Sequence, residues 1–180
     1  TSYEGTVTVA GTATDRGGLI GFLTRLDTIA GPTLHVKDNQ SVVASDFYDE
    51  QSDSHLLLEG SPGLPPGAVT VQGAKTHLKT EEPVIALRGF AGRVFYGQDQ
   101  FYLEPKTPRI VATGDAPAHL ILSGCFFYKT RPAFDLVSST RLTLLGNIGV
   151  EAPAAVSGPF AVISRRLSFL PCSARGALCG

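Results

Sequence analysis

The chain has 180 residues, 43% of them hydrophobic and 17% charged, with 20 Gly, 12 Pro and a formal net charge of −1. That balance can bury a core, gives no basic footprint for nucleic acid, and contains no apolar run near the roughly 18 residues that span a bilayer. Neither nucleic acid nor a membrane is therefore an expected partner, and the many Gly and Pro residues predict short segments divided by turns.

Residues 1–31 are the least regular part. Thr6 to Ala10 alternates as a short strand, Asp15-Arg16-Gly17-Gly18 reads as a turn, and Leu19 to Leu26 fits either one strand or a short helix. Tyr3-Glu4-Gly5 is like the segments that end later repeats, and the chain contains no Met. We therefore expect a fragment of a longer structure whose residues 1–31 are irregular or form incomplete coils.

From Pro32 a repeat takes over. Leu34 and Val36 form a first alternating run, Val42 begins a second, and Phe47-Tyr48 closes the unit. The next unit opens at Leu56-Leu57-Leu58 and is interrupted by Ser61-Pro62-Gly63-Leu64-Pro65-Pro66-Gly67. Prolines cannot donate to a ladder of backbone hydrogen bonds, so this insertion must leave the stack as a loop before Val69 and Val71 resume it. Insertions of this kind can line a binding face. Between Pro83 and Val150 the pattern recurs three times, with Ile85, Ile110 and Phe134 opening the first runs at spacings of 25 and 24 residues. Val94, Leu120 and Leu142 open the second runs, and Phe160 to Ser164 with Leu167 to Leu170 repeats the pattern once more.

A period in the twenties with period-two alternation inside each unit is the signature of a stacked solenoid. The expected fold is all-β: a single-stranded right-handed parallel β-helix of about six coils over residues 32–170, followed by a tail at 171–180. Leu34, Leu56, Ile85, Ile110, Phe134 and Phe160 should stack inward in one column, beside Val36, Leu58, Leu87, Ala112, Leu136 and Val162. A second wall holds Val69, Val94, Leu120, Leu142 and Leu167, then Val71, Tyr96, Leu122, Leu144 and Phe169. Lys37, Glu59 and Arg88 form a charge ladder outside, and Leu57, Ala86 and Val111 an apolar strip.

Ser45, Ala74, Asp99, Cys125, Asn147 and Cys172 fall in one turn column, where small or amide residues can bond to the adjacent coil. Cys125 and Cys172 then lie two coils apart, about 9.6 Å, beyond disulfide reach, so Cys125 is expected to be a free buried thiol. Cys172 and Cys179 could close a small loop or remain free. His35, His55, His77 and His119 do not cluster with cysteines at ligand spacing, so no metal site and no cofactor is expected.

With its stacked coils and tails such as Ser45 to Asp49 and Ser123 to Tyr128, residues 32–170 resemble the C-terminal coils of pectate-lyase-superfamily proteins, especially those related to glycoside hydrolase family 28. The resemblance implies a secreted protein, extracellular or at the cell surface, that acts on polysaccharide. The catalytic motifs of that family are absent: there is no Asn-Thr-Asp, Asp-Asp, Gly-His-Gly or Arg-Ile-Lys, and Arg109-Ile110 is followed by Val111. The densest acidic stretch, Asp46, Asp49, Glu50 and Asp53, reads as solvated turn residues, whereas hydrolysis needs two carboxyl groups facing across a sugar. No catalytic residue is assigned in this chain. If the parent protein is a lyase or hydrolase, its catalytic residues lie outside.

Alternation that turns Phe47, Phe101 and Phe127 inward turns Tyr48, Tyr102 and Tyr128 outward, with His77 in the intervening coil. Tyr48, His77, Tyr102 and Tyr128 thus form a candidate glycan-binding column, since a tyrosine offers both an apolar face and a hydroxyl. The competing reading is ordinary surface aromatics, or rings covered by a loop or neighbouring subunit. The expected function is scaffold and polysaccharide or oligosaccharide binding, with other coils of a parent chain or a homo-oligomer as further partners. The alternative is a structural or adhesive solenoid, such as a phage tailspike or surface adhesin, without enzymatic role. The apolar strip at Leu57, Ala86 and Val111 favours that alternative.

Overall fold

A computed structural model describes residues 2–4, 6–12, 25–27, 31–45, 48–52, 54–78, 82–103, 109–128, 132–147 and 161–163. The described segments are β-strands and turns, and all strand pairs are parallel. No helix among them is long and apolar enough to cross a membrane.

Three strands, β1 (Ser2–Glu4), β2 (Val7–Val9) and β3 (Arg25–Asp27), precede four complete coils. The coils are β4 (Pro32–Val36), β5 (Val42–Ser45) and β6 (Tyr48–Ser52); β7 (Ser54–Glu59), β8 (Gly67–Gln72) and β9 (Lys75–Leu78); β10 (Ile85–Arg88), β11 (Gly92–Gly97) and β12 (Gln100–Leu103); and β13 (Arg109–Thr113), β14 (Ala118–Ser123) and β15 (Phe126–Tyr128). Strands β16 (Ala133–Leu136), β17 (Thr140–Leu145) and β18 (Ala161–Ile163) follow. Three six-stranded sheets run along the stack. The first is β2-β4-β7-β10-β13-β16, the second β5-β8-β11-β14-β17-β18, and the third β1-β3-β6-β9-β12-β15.

The protein is a parallel β-solenoid of about four full turns, with partial coils at both ends of the described stack, rather than the six expected. As far as Phe134, Leu136, Leu142 and Leu144, the four inward columns are as alternation predicts. Leu34, Leu56, Ile85, Ile110 and Phe134 are in register, as are Val69, Val94, Leu120 and Leu142. Leu56, Leu58, Ile85, Ile110, Leu120, Leu122 and Leu142 are fully buried. At about 1.5–3 kcal/mol for each large side chain, these stacked columns supply much of the driving force.

The last coil differs from expectation. Strand β18 pairs with β17 on the second sheet, so Val162 lies opposite Leu144 rather than continuing the column of Leu136. Phe160, Leu167, Phe169, Cys172 and Cys179 lie outside the described residues. Within 1–31, the strand expected at Thr6 to Ala10 is β2, and Tyr3 stands in the third sheet, the one that the repeat tails build.

Turn chemistry explains how the chain bends at the same place in each coil. Gly73, Gln98, Gly124 and Gly146 occupy one column between the second and third sheets, all with φ between 59° and 70°. The corner requires a left-handed residue, which glycine adopts without cost and Gln98 adopts under strain. Close approach matters at Gly92, where a Cβ would stand 2.1 Å from the Gly67 carbonyl oxygen. Residues 61–66 of the insertion leave the stack, with Pro62, Gly63, Pro65 and Pro66 exposed and Leu64 N–H closing a turn onto Ser61 O at 3.3 Å, whereas Gly67 is already the buried first residue of β8.

Candidate functional site

The third sheet carries the aromatic face. Strands β9, β12 and β15 pair in parallel, so His77, Tyr102 and Tyr128 fall in one row and Thr76, Phe101 and Phe127 in the next. The second row points inward, where Phe101 and Phe127 are buried and stack at 4.6 Å with an interplanar angle of 11°. That core stack fixes the backbone beneath the outer rings. Outside, the Tyr102 and Tyr128 centroids are 5.4 Å apart, Tyr102 is half-buried and Tyr128 is 40% exposed.

Tyr48 does not belong to this row. It pairs with Lys75, and Glu50 is the residue opposite His77. The first coil therefore sits two residues away from the expected alignment, and Ser45 likewise pairs with Gln72 rather than with Ala74. Phe47 lies outside the described residues. The structure thus brings together three of the four expected residues, His77, Tyr102 and Tyr128, and pairs Tyr48 with Lys75, which is in register with Gln100 and Phe126.

That neighbouring row adds groups that sequence alternation had not singled out. Lys75 Nζ lies 5.0 Å from the centre of the Tyr102 ring, a cation–π contact, and Tyr102 Oη donates to Gln100 Oε1 at 3.1 Å. Phe126 meets Tyr128 edge-on at 6.1 Å. The face therefore offers ring surfaces, a hydroxyl, an amide and an ammonium within two adjacent rows. The signal was present in the sequence, since each of these residues lies two positions before a member of the tyrosine row.

Asp46 and Asp53 lie outside the described residues, and the neighbours Asp49 and Glu50 alternate along β6 opposite Thr76 and His77. A concavity of about 460 Å³ does open beside the proline insertion, lined by residues including Asn39, Ser61, Leu64, Ala91 and Pro117, but Asp115 is its only carboxylate among the described residues. Asn39 builds its wall, accepting from Ala91 N–H at 2.9 Å and donating to Ser61 O at 3.3 Å. One carboxylate cannot supply both the acid and the base or nucleophile of glycoside hydrolysis. Among the described residues no three His, Cys, Asp or Glu side chains converge as metal ligands.

On the first sheet the Glu59–Arg88 rung of the expected Lys37, Glu59, Arg88 ladder is present, and Glu59 also pairs with His35. Glu59 Oε2 lies 2.6 Å from His35 Nε2 and Glu59 Oε1 lies 3.7 Å from Arg88, while Arg109 faces Asp135 at 3.4 Å. His35 and Glu59 are half-buried, and the pairs made by the exposed Arg88 and Arg109 contribute little energy and help hold register. In the turn column, Asp99 Oδ1 accepts from Ala74 N–H at 2.6 Å and Asn147 Oδ1 from Cys125 N–H at 2.8 Å. Cys125 is free and buried, and burial, with a contribution from Asp99, pushes its thiol up to about 12.

No family model matches the chain, and neither does any curated protein or solved structure.

Proposed function

We propose that this chain is the scaffold and glycan-binding part of a secreted carbohydrate-active protein, binding a polysaccharide along the outer face of the third sheet. The observation that carries the reading is the in-register pair of outward rings, Tyr102 and Tyr128, 5.4 Å apart on a backbone held by the buried Phe101–Phe127 stack. A ring face held in place needs little ordering on binding, and the hydroxyl and Gln100 amide beside it suit a ligand that is both apolar on its faces and polar at its edges. Catalysis is assigned to no residue here; a lyase or hydrolase activity of the pectate-lyase type would need carboxylates from elsewhere.

The structural or adhesive reading rests on the outward strip Leu57, Ala86 and Val111, which is in register on the first sheet. Ala86 in the middle of the strip is only 8% exposed and Leu57 and Val111 are half-buried, which breaks the strip as a continuous apolar surface, and the glycan reading is preferred.

The test is calorimetric titration of the protein with neutral oligosaccharides, alongside a Tyr102→Ala/Tyr128→Ala variant. Loss of two stacking rings should weaken binding by about 1–3 kcal/mol, by analogy with bases stacked on aromatic side chains. The melting temperature should barely move, because surface substitutions of this kind usually stay within about 0.5 kcal/mol. A sharp fall in melting temperature, or unchanged affinity, would refute the platform.

A further inference from the structure

The corner between the first and second sheets changes length from coil to coil. It runs over 60–66 between β7 and β8, over only Gly89, Phe90 and Ala91 between β10 and β11, and over 114–117 between β13 and β14. The middle corner is short because Phe90 is fully buried and draws the chain onto the core, leaving Gly89 and Ala91 as a floor. Longer corners stand on both sides of it, and the concavity of about 460 Å³ is the notch between them.

Fixed contacts hold the notch in shape. Asn39, a buried residue of the first coil, accepts from Ala91 N–H at 2.9 Å and donates to Ser61 O at 3.3 Å, so one side chain ties the floor to a wall. Ser61 Oγ donates to Asp38 Oδ1 at 2.7 Å, and Arg88, just before the floor, is turned toward Glu59 at 3.7 Å. A Cβ added at Gly89 would meet nothing within 4 Å, so the floor is left open by the lack of a side chain there. Leu64, Ala116 and Pro117 make the walls apolar. Asp115, exposed in the wall formed by the fourth coil, makes no ion pair among the described residues.

We propose that this notch binds a small organic cation, an ammonium or guanidinium group on a compact apolar body, with the body against Gly89, Ala91, Leu64 and Pro117 and the charge at Asp115. Its volume is within the range of pockets that hold small molecules, and an apolar lining with one placed polar group is their usual make-up. Shape selects a compact body. The walls belong to the second and fourth coils, two strand spacings or about 9.6 Å apart, so an extended chain lying along the stack would meet both. Charge selects a cation, because Asp115 is the only ionic group on the lining among the described residues and would repel an anion. A polyol would find the Asn39 and Ser61 side chains already engaged. The notch lies between the first and second sheets, away from the tyrosines of the third, and the two proposals stand independently.

The experiment follows the backbone amide signals by NMR while adamantylamine is added to the full chain, with adamantanol and adamantane carboxylate as neutral and anionic counterparts of the same shape. The amine should give saturable shifts centred on Gly89, Ala91 and Asp115. It should bind about threefold to fivefold tighter than the alcohol, the increment of one exposed ion pair, and the carboxylate should bind weakest. Asp115→Asn should abolish the difference between amine and alcohol and leave the melting temperature unchanged, since Asp115 is exposed. Leu64→Ala should weaken amine and alcohol alike, while Tyr102→Ala/Tyr128→Ala should bind the amine as before. Shifts that spare Gly89 and Ala91, equal affinity of the parent chain for amine and alcohol, or a preference for the amine that survives Asp115→Asn would overturn the proposal. So would tighter binding of a short lysine-containing peptide through the same residues, which would give the notch to a protein partner.

Discussion

Replacing Asp99 by Asn should stabilise the protein at neutral pH, although the substitution removes a hydrogen-bonded carboxyl group from the core. Asp99 is fully buried, its Oδ1 accepts from Ala74 N–H at 2.6 Å, and its Oδ2 has no hydrogen-bond partner. Two coils further along the same column, Asn147 makes the equivalent contact to Cys125 and in addition donates from Nδ2 to the Leu122 carbonyl at 2.9 Å. Leu122 is in register with Tyr96 and Tyr96 with Val71, so the carbonyl in the matching place for Asp99 is that of Val71. A protonated carboxyl or an amide can donate there, and a carboxylate cannot.

Burial pushes the Asp99 carboxyl from 3.8 up to about 8, against the bond from Ala74, which lowers it. Because the folded value lies above the unfolded one, the folded state keeps a proton that the unfolded chain releases. The group's contribution to stability is therefore full below about pH 4, falls as pH rises, and is lost above about pH 8. At about 1.4 kcal/mol per tenfold change in proton affinity, keeping that proton at pH 7 costs at most about 4 kcal/mol. Local relaxation reduces this, and we expect Asp99→Asn to gain about 2 kcal/mol at pH 7, a rise in melting temperature of roughly 4–8 °C for a chain of this size. Thermal unfolding of both proteins at about pH 5 and about pH 8 measures it, and the gain should grow with pH. A variant less stable than the parent at both pH values would refute the argument.

Two further outcomes follow from the stack itself. Cys125 should react slowly with thiol reagents in the native protein and quickly once unfolded, since it is buried and its thiol is pushed up to about 12; rapid native labelling would contradict this. Gly92→Ala should cost several kcal/mol, about 3 or more, because the added Cβ meets the Gly67 carbonyl at 2.1 Å and φ is +134°; urea unfolding would reveal a smaller cost if the two strands can part.

Most of the fold could be read from the sequence because in a solenoid one alternating pattern is tested again on every coil. Leu34 to Phe134 and Val69 to Leu142 were legible because like stacks on like at a fixed strand spacing. The errors arose where residue identity was used in place of counting. Tyr48 looks like Tyr102 and Tyr128 because each follows a Phe, yet the ladder keeps a constant offset from Val42 opposite Val69 to Tyr48 opposite Lys75, and a register shift comes only between Glu50 and Ser52. Pro159 to Ser164 looks like Ala133 to Ser138, yet β18 hydrogen-bonds to β17. The projecting insertion was legible from Pro62, Pro65 and Pro66. The protonation of Asp99 was not, because it depends on how deeply one turn is buried.

The most direct test of the functional account is to follow the tyrosine ring signals by NMR while a neutral oligosaccharide is added to the intact chain. The account predicts saturable shifts concentrated on Tyr102 and Tyr128, whose rings lie 5.4 Å apart on the outer face of the third sheet. Absence of saturable shifts, or saturable shifts that spare both rings, would contradict it.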